Sequence, residues 1–284
     1  MKNKEIKLIA LDLDGTLLTD EKKVTPETAA VLKEAKQRGI YVVASTGRPY
    51  AGLPLEILEE AGIEYAITAN GAAIYTVPER KCLFADGISP EQAEVIVAEL
   101  LEMGVHTDIF IDGQGYGDKN NYENIERLGM PEVMKEYMRT TRIYIDDLLE
   151  CIREKNQVIQ KITTNYYLEP DGTYLHYEEA VERFVGREGL DAVSGGFHNL
   201  EITKKGVTKG KTLQILAEIL GVDMSETMAC GDSENDVDIL RTAAIGVAMA
   251  NAEDCVKEIA DCITLSNEED GVAEAIRKLV FRKE

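Results

Sequence analysis

Positive charge is scarce in this chain. Its 284 residues carry 31 Lys and Arg against 52 Asp and Glu, a formal net charge of −21. A duplex phosphate backbone repels such a surface, and no local basic patch relieves it, so nucleic acid is not an expected partner. Paired cysteine motifs are also missing. The 5 cysteines, Cys82, Cys151, Cys230, Cys255 and Cys262, form no CxxC and are odd in number, as free thiols in a reducing compartment are. Long apolar runs are absent too. The run from Ile6 to Leu13 is short and interrupted by aspartate, unlike a signal peptide, and nothing approaches the roughly 20 residues of a membrane helix. A cytoplasmic location with no membrane partner is therefore expected. Internal repeats and low-complexity tracts are lacking as well.

What is present suits an ordinary globular chain, 44% hydrophobic and 29% charged, long enough for two domains. The first third alternates strands and helices. "IKLIALDL" reads as a buried strand. Thr25 offers a helix cap with Pro26 behind it, and the helix stops at Gly39. "IYVVAST", "PLEILEEAG" and "YAITAN" continue the rhythm, which predicts a parallel, doubly wound sheet. The pattern then changes. "AAIYT" and "KCLFAD" read as a hairpin, Ser89 caps a helix reaching Met103, and "VHTDIFID", "QVIQKITTNYY" and "HNLEIT" alternate like half-buried strands. From Lys204 onward the first rhythm returns. The expected class is α/β: a Rossmann-like parallel-sheet core in segments 1–85 and 199–284, with an inserted α+β cap at 86–198.

In doubly wound sheets, ligands bind beyond the carboxyl ends of the strands, near the point where strand order reverses. Four polar clusters fall at such predicted places: Asp12 to Thr16, Thr46-Gly47-Arg48, Lys209 after the predicted strand "NLEIT", and "GDSEND" from Gly231 to Asp236. Two carboxylates about 4 Å apart repel by a few kcal/mol at a surface-like dielectric. A hard cation removes that repulsion, and Mg²⁺ takes one or two carboxylates with water and substrate phosphate. Asp12 could then attack phosphorus, with Asp14 moving the proton. Thr46, Gly47, Lys209 and Asn235 could hold phosphate, Asp232 could be a third metal carboxylate, Asp236 could hold the loop or Lys209 from behind, and Arg48 could reach a substrate anion or pair with an acidic neighbour.

"DLDGTL", "STGR", "KG" and "GDSEND", in this order, resemble the four motifs of the haloacid-dehalogenase-like (HAD) phosphohydrolases. "NGAAIY", "LEITKKGVTKG", "GVAMANA" and "EDGVAEAI" are similar to the Cof-type subgroup with its subclass IIB cap. The resemblance implies a Mg²⁺-dependent phosphatase of small phosphorylated metabolites, sugar phosphates among them. It makes Asp12 the nucleophile and Asp14 the acid and base. It assigns Mg²⁺ to Asp12, Asp14 (carboxylate or main-chain carbonyl) and Asp232, and phosphate to Leu13 N–H, Thr46, Gly47, Lys209 and Asn235. The choice of Lys209 over Lys204, Lys205 and Lys211 rests on that family spacing.

Other readings compete. A calcium loop fails because glycine falls at the wrong position from Asp12, and Val237 takes its place from Asp232. His106, His176 and His198 suit structural roles better than catalysis, and the cap tyrosines suit packing. A phosphomutase on the same core would need cationic cap residues, which "REKNQVIQK" could supply. A phosphometabolite-binding protein without catalysis would not need the intact acid, lysine and metal positions.

Overall fold

The computed structural model describes residues 5–195 and 198–281. In chain order the strands are β1 Leu8–Leu11, β2 Tyr41–Ser45, β3 Tyr65–Thr68, β4 Ala73–Thr76, β5 Cys82–Ala85, β6 His106–Ile111, β7 Gln114–Asp118, β8 Arg142–Ile145, β9 Ile159–Asn165, β10 Leu190–Gly195, β11 Asn199–Lys204, β12 Thr227–Gly231, β13 Ile245–Ala248 and β14 Cys262–Ile263. The helices are α1 Pro26–Gln37, α2 Leu55–Glu60, α3 Pro90–Glu102, α4 Lys119–Glu123, α5 Glu132–Thr141, α6 Leu148–Lys155, α7 Tyr177–Phe184, α8 Lys209–Leu220, α9 Val237–Thr242, α10 Asp254–Ile259 and α11 Gly271–Ile276. Among the described residues no helix is long and apolar enough to cross a membrane.

The chain divides into two compact units. The first takes residues up to Arg48, Leu53–Phe84 and everything from Thr208 onward. Its sheet has 8 strands in the order β14-β13-β12-β1-β2-β3-β4-β5. From β14 to β3 every pair is parallel, and β3 and β4 close an antiparallel hairpin. Strand order therefore reverses between β1, β2 and β12, and the loops after these three strands meet at one end of the sheet. β1 is fully buried (Leu8, Ile9, Ala10, Leu11) because both faces are covered, which is why it reads as a continuous apolar run. Each such large side chain contributes about 1.5–3 kcal/mol on burial. The α1 cap is formed as the sequence dictates: Thr25 accepts a hydrogen bond from Thr28 N at 3.1 Å, with Pro26 in the first turn.

The second unit takes Pro49–Gly52 and Ala85–Val207. Its 6-stranded sheet runs β10-β11-β9-β6-β7-β8. The pairs are antiparallel except β7 with β8, which run parallel across the helical excursion of α4 and α5. One face of the sheet packs Ile109, Ile162 and Ile202 into a core shared with Ile96, Leu100 and Phe184 of α3 and α7. On the other side of β6 lies a charged pair: Arg142 Nε donates to Asp108 Oδ2 at 3.2 Å, and both side chains are buried. His106 Nε2 stands 3.4 Å from the other oxygen of Asp108.

Two sequence expectations change here. "HNLEIT" does not lead back into the first sheet. Residues Asn199–Lys204 pair with β9 and β10 through a full antiparallel ladder, so the chain re-enters the first unit at Thr208 rather than at 199. Period-two alternation identifies a strand but not the sheet that receives it. Lys209 accordingly opens α8, capped by the Thr208 side chain, and does not follow a strand of the parallel sheet. In addition, β7 and β8 make the second sheet mixed rather than wholly antiparallel.

Burial acts to raise the pKa of Asp108, but His106 and Arg142 outweigh it and hold the carboxyl below its ordinary value. A depressed folded-state pKa contributes stability above the unfolded value and loses it as pH falls. Asp108→Asn is expected to lose about 3–5 kcal/mol at neutral pH, by leaving Arg142 buried and unpaired. In thermal melts, the gap from the parent should narrow as pH drops below about 4.

Candidate active site

β1 ends at Leu11, and Asp12 follows with its N–H donating to Cys230 O at 3.1 Å, so the strand's hydrogen bonding with β12 carries directly into the site. Leu17 N returns to Asp12 O at 3.1 Å and Leu18 N to Leu13 O at 2.8 Å, which folds Asp12–Leu18 into a tight loop. The turn passes through Gly15 at φ 83°, where a Cβ would also run into the Asp232 carboxylate. Asp12, Leu13 and Thr16 are buried, and Asp14 is half-buried.

Lys209 connects the sequence clusters. Its ammonium donates to Asp12 Oδ1 at 2.8 Å, Asp236 Oδ1 at 2.6 Å and Asn235 Oδ1 at 3.3 Å. Lys209 and Asp236 are fully buried, and Asp12 is 6% exposed. Asp236 Oδ2 also accepts the backbone N–H groups of Asp232 at 3.0 Å and Ser233 at 3.2 Å. Both oxygens of Asp236 are thereby committed to shaping the loop after β12. Thr16 Oγ1 donates to Asp232 Oδ1 at 2.6 Å, tying that loop to the one after β1.

Thr46 is buried after β2, and its Oγ1 accepts Arg48 N at 3.1 Å. Gly47 lies against Asn70, whose Oδ1 would be 2.7 Å from a Cβ on Gly47. Asn70 sits in the left-handed region at φ 57°, and its Oδ1 accepts Asn235 Nδ2 at 3.3 Å. The predicted phosphate donors Thr46, Gly47, Asn235 and Lys209 are thus linked through a residue that sequence reading passed over. The "NG" turn at 70–71 was its available signal. Ser233 and Asn251 were also missed. Ser233 Oγ donates to Asn235 Oδ1 at 2.9 Å, and Asn251 Nδ2 donates to Gly15 O at 2.8 Å.

One oxygen of each of Asp12, Asp232 and Asp236 lies within 4.8 Å of the others, a spacing suited to a cation. The donor chemistry narrows the choice. Asp236 is saturated by Lys209 and two N–H groups, which leaves Asp12 and Asp232 as the carboxylates that fit a hard ion. Their electrostatics agree. Burial, with the charge of Asp236 added, pushes the Asp12 carboxyl well above its usual range against the pull of Lys209. Burial raises Asp232 to about 6 despite its bond from Thr16. Both shifts come first from burial of the carboxyl groups, with neighbouring acids adding to it.

Of the two metal-ligand expectations for Asp14, carboxylate or main-chain carbonyl, the carboxylate is placed differently. Its carboxylate turns to Arg48, which donates through Nε to Oδ2 and through Nη2 to Oδ1, each at 2.7 Å, while Lys22 Nζ donates to Oδ1 at 2.8 Å. A bidentate guanidinium occupies both oxygens, so this side chain is not part of the cation-sized group. Burial works to raise its pKa, but Arg48 and Lys22 prevail and hold it below the ordinary carboxylate value.

Residues 9–276 match the haloacid dehalogenase-like hydrolase family. Phosphatase YwpJ of Bacillus subtilis is 33% identical over 97% of this chain and 100% of its own length. The 5-amino-6-(5-phospho-D-ribitylamino)uracil phosphatase YcsE of the same organism is 31% identical over 98% of this chain and 97% of its own. A solved haloacid dehalogenase-like hydrolase from B. subtilis superposes with a TM-score of 0.78 at 33% identity, covering 96% of this chain and 99% of that one.

The Lys209–Asp236 pair generates a prediction. Asp236→Asn cannot accept both backbone N–H groups and the ammonium as the carboxylate does. It should destabilise the protein by about 3–5 kcal/mol in denaturant titrations, the range for breaking a buried ion pair. An unchanged midpoint would remove Asp236 from the organisation of the site.

Proposed function

This chain belongs to the haloacid dehalogenase-like hydrolases, and from that premise we propose that it is a phosphomonoesterase of small phosphorylated metabolites that works through an aspartyl-phosphate on Asp12. The observation that carries the reading is the buried contact of Lys209 with Asp12 and Asp236 beside Asp232, formed by loops from three separate parts of the sequence.

In the first half-reaction an Asp12 Oδ lone pair forms the O–P bond as the ester P–O bond breaks, and the Asp14 carboxylic acid gives its proton to the departing alkoxide. In the second half-reaction Asp14 takes a proton from water, the water oxygen bonds phosphorus, and the Asp12–phosphorus bond breaks to return the carboxylate. Lys209 holds the attacking oxygen and balances the incoming phosphoryl charge, while the Asn235 amide, Thr46 and the Gly47 N–H donate to its oxygens. A Mg²⁺ ion bound by Asp12 and Asp232 would supply further neutralisation of the phosphoryl oxygens. Leu13, buried between the two aspartates, fixes the loop, and its N–H completes the proposed phosphate donors.

Sugar phosphates and related polyol phosphates are the proposed substrates. A relative named for a 5-phospho-D-ribityl substrate, aligned over nearly the whole chain, supports that class. The phosphomutase reading has less support. Of the cations it would use, Arg153 is engaged by Glu94 at 2.8 Å and Lys161 by Glu201 at 2.7 Å. Cytoplasmic action on a soluble metabolite, without nucleic acid or membrane, completes the proposal.

Asp12→Asn should lower phosphate release from a metabolite panel by at least about a thousand-fold, while the parent frees inorganic phosphate rather than an isomerised ester. Retained turnover in the variant would rule out the covalent route.

A second test uses acidity. The raised pKa of Asp232, about 6, means that the metal-free native state holds a proton the unfolded chain has lost. Metal-free stability from this group therefore falls as pH rises from the ordinary carboxylate value toward about 6. Mg²⁺ requires the ionised form, so its stabilisation in thermal melts should grow as pH rises through that same region. A Mg²⁺ effect that does not vary with pH would remove Asp232 from the ligand set.

A further inference from the structure

The motif "GVAMANA" takes no part in the phosphate chemistry above, yet its asparagine reaches the loop that carries the nucleophile. Residues 249–253 follow β13 and are tied by main chain to the end of β12 and the loop beyond it. Met249 N donates to Gly231 O at 3.1 Å, and Glu253 N donates to Asp232 O at 2.8 Å. Between these two ties Asn251 crosses to the loop after β1, where its Nδ2 donates to Gly15 O at 2.8 Å. Its other end is engaged as well: Asn251 Oδ1 accepts Asn267 N at 3.1 Å, from the loop after β14. One neighbour offers a carbonyl and the other an N–H, and a carboxamide satisfies both at once.

The consequence reaches Asp232. Gly15 packs against the Asp232 carboxylate so closely that a Cβ there would collide with it, and Thr16 Oγ1 donates to Asp232 Oδ1 at 2.6 Å. Asn251 thus grips the main chain of the segment through which the β1 loop touches Asp232, while Glu253 grips the main chain of Asp232 itself. Asp12 begins the same tight loop, closed by Leu17 N on Asp12 O at 3.1 Å.

We propose that Asn251 is a positioning residue for the cation site, a clamp that sets the separation of the loops bearing Asp12 and Asp232. The assignment rests on the reading of those two aspartates as ligands of a Mg²⁺ ion. Both bonds of Asn251 go to main chain, so its grip does not depend on the charge of either carboxylate. The Thr16 hydroxyl, by contrast, is spent on the carboxylate itself. Mg²⁺ is small and demands near-ideal octahedral geometry, so its affinity depends on ligands already held at the right spacing. Partners that orient metal ligands are worth about 10–100-fold in affinity.

Asn251 is exposed, so Asn251→Ala removes the clamp without opening the core. Calorimetric titration of metal-stripped protein with Mg²⁺ alone should show a dissociation constant raised by about ten-fold in this variant. In thermal melts the onset of Mg²⁺ stabilisation should move to about ten-fold higher concentration. Asn251→Ser, whose side chain is too short to span both partners, should weaken binding likewise. Asn267→Ala is the control. It keeps the N–H that Asn251 accepts and removes the side-chain bonds to Leu18 O at 3.1 Å and Asp20 Oδ1 at 3.4 Å, so it should bind Mg²⁺ as the parent does. A merely structural asparagine would lower the metal-free melting temperature and leave the dissociation constant alone, and that result overturns the proposal. Equal weakening in the Asn251 and Asn267 variants overturns it too, by marking general loosening of the β1 loop. Asp232→Asn separates the two levels of the reading, since it should abolish the binding. If it does and Asn251→Ala binds Mg²⁺ like the parent, Asn251 alone is misassigned. If Asp232→Asn binds like the parent, the ligand reading fails and the clamp falls with it.

Discussion

A single ammonium group, buried between two carboxylates, sets the terms for this molecule. Lys209 is fully enclosed, and removing such a charge from water costs several kcal/mol unless partners replace the lost hydration. Asp12 and Asp236 replace it at 2.8 and 2.6 Å. The same contacts raise the lysine pKa, so the group stays charged through any physiological pH. The division of labour between the two acids follows from their other neighbours. Asp236 is consumed by the backbone of its own loop, whereas Asp12 keeps a second oxygen for chemistry. One geometry thus serves folding and reactivity together, and the half of the pair that maintains the fold never needs to meet the substrate.

The parallel sheet explains how these groups come together. β1, β2 and β12 are neighbours, and each ends at the same side, so the loops after them share one small volume. Arg48 and Lys22 then create a second electrostatic centre around Asp14, separate from the one around Lys209. Two aspartates two positions apart experience opposite surroundings. Asp12, desolvated among other acids, is driven toward protonation; Asp14, gripped by two cations, is driven toward ionisation. The proposed reaction needs the reverse at the moment of attack, an ionised Asp12 and a protonated Asp14, so cation and substrate binding must shift both carboxyl groups from these resting states.

Much of this was legible in the sequence, and the parts that were not share a cause. Asp12, Asp14 and Asp232 stood out because charge at the end of an apolar strand is costly without a purpose. The α1 start was legible because Thr25-Pro26 carries its own local geometry. Lys209 could be chosen among its neighbouring lysines only through resemblance, since nothing local distinguishes a buried ammonium from a solvated one. β7 was passed over because "QGYGD" holds two glycines, poor strand formers whose role here is to let Arg142 and Tyr144 lie across them. The destination of Asn199–Lys204 was misjudged because alternation records exposure and says nothing of partners. Lys22 was invisible, and Asn70 showed only as an "NG" turn, for a related reason: their contacts span loops whose proximity only the fold creates.

The strand order also has a bearing on synthesis. Leu8 pairs with Thr227 on one side and Tyr41 on the other, so β1 leaves the ribosome long before β12 and must wait for it to complete its hydrogen bonding. Until then an oily edge of the parallel sheet stands bare, a surface that invites wrong partners. The middle unit depends less on that delay, because β6 to β11 are contiguous in sequence and can close their own ladder while the remainder is still being translated. A nascent chain released before the codons for Lys209 and Asp232 are read would carry Asp12 without its counterion. Premature termination therefore leaves the site without the ammonium that its buried carboxylate is built around.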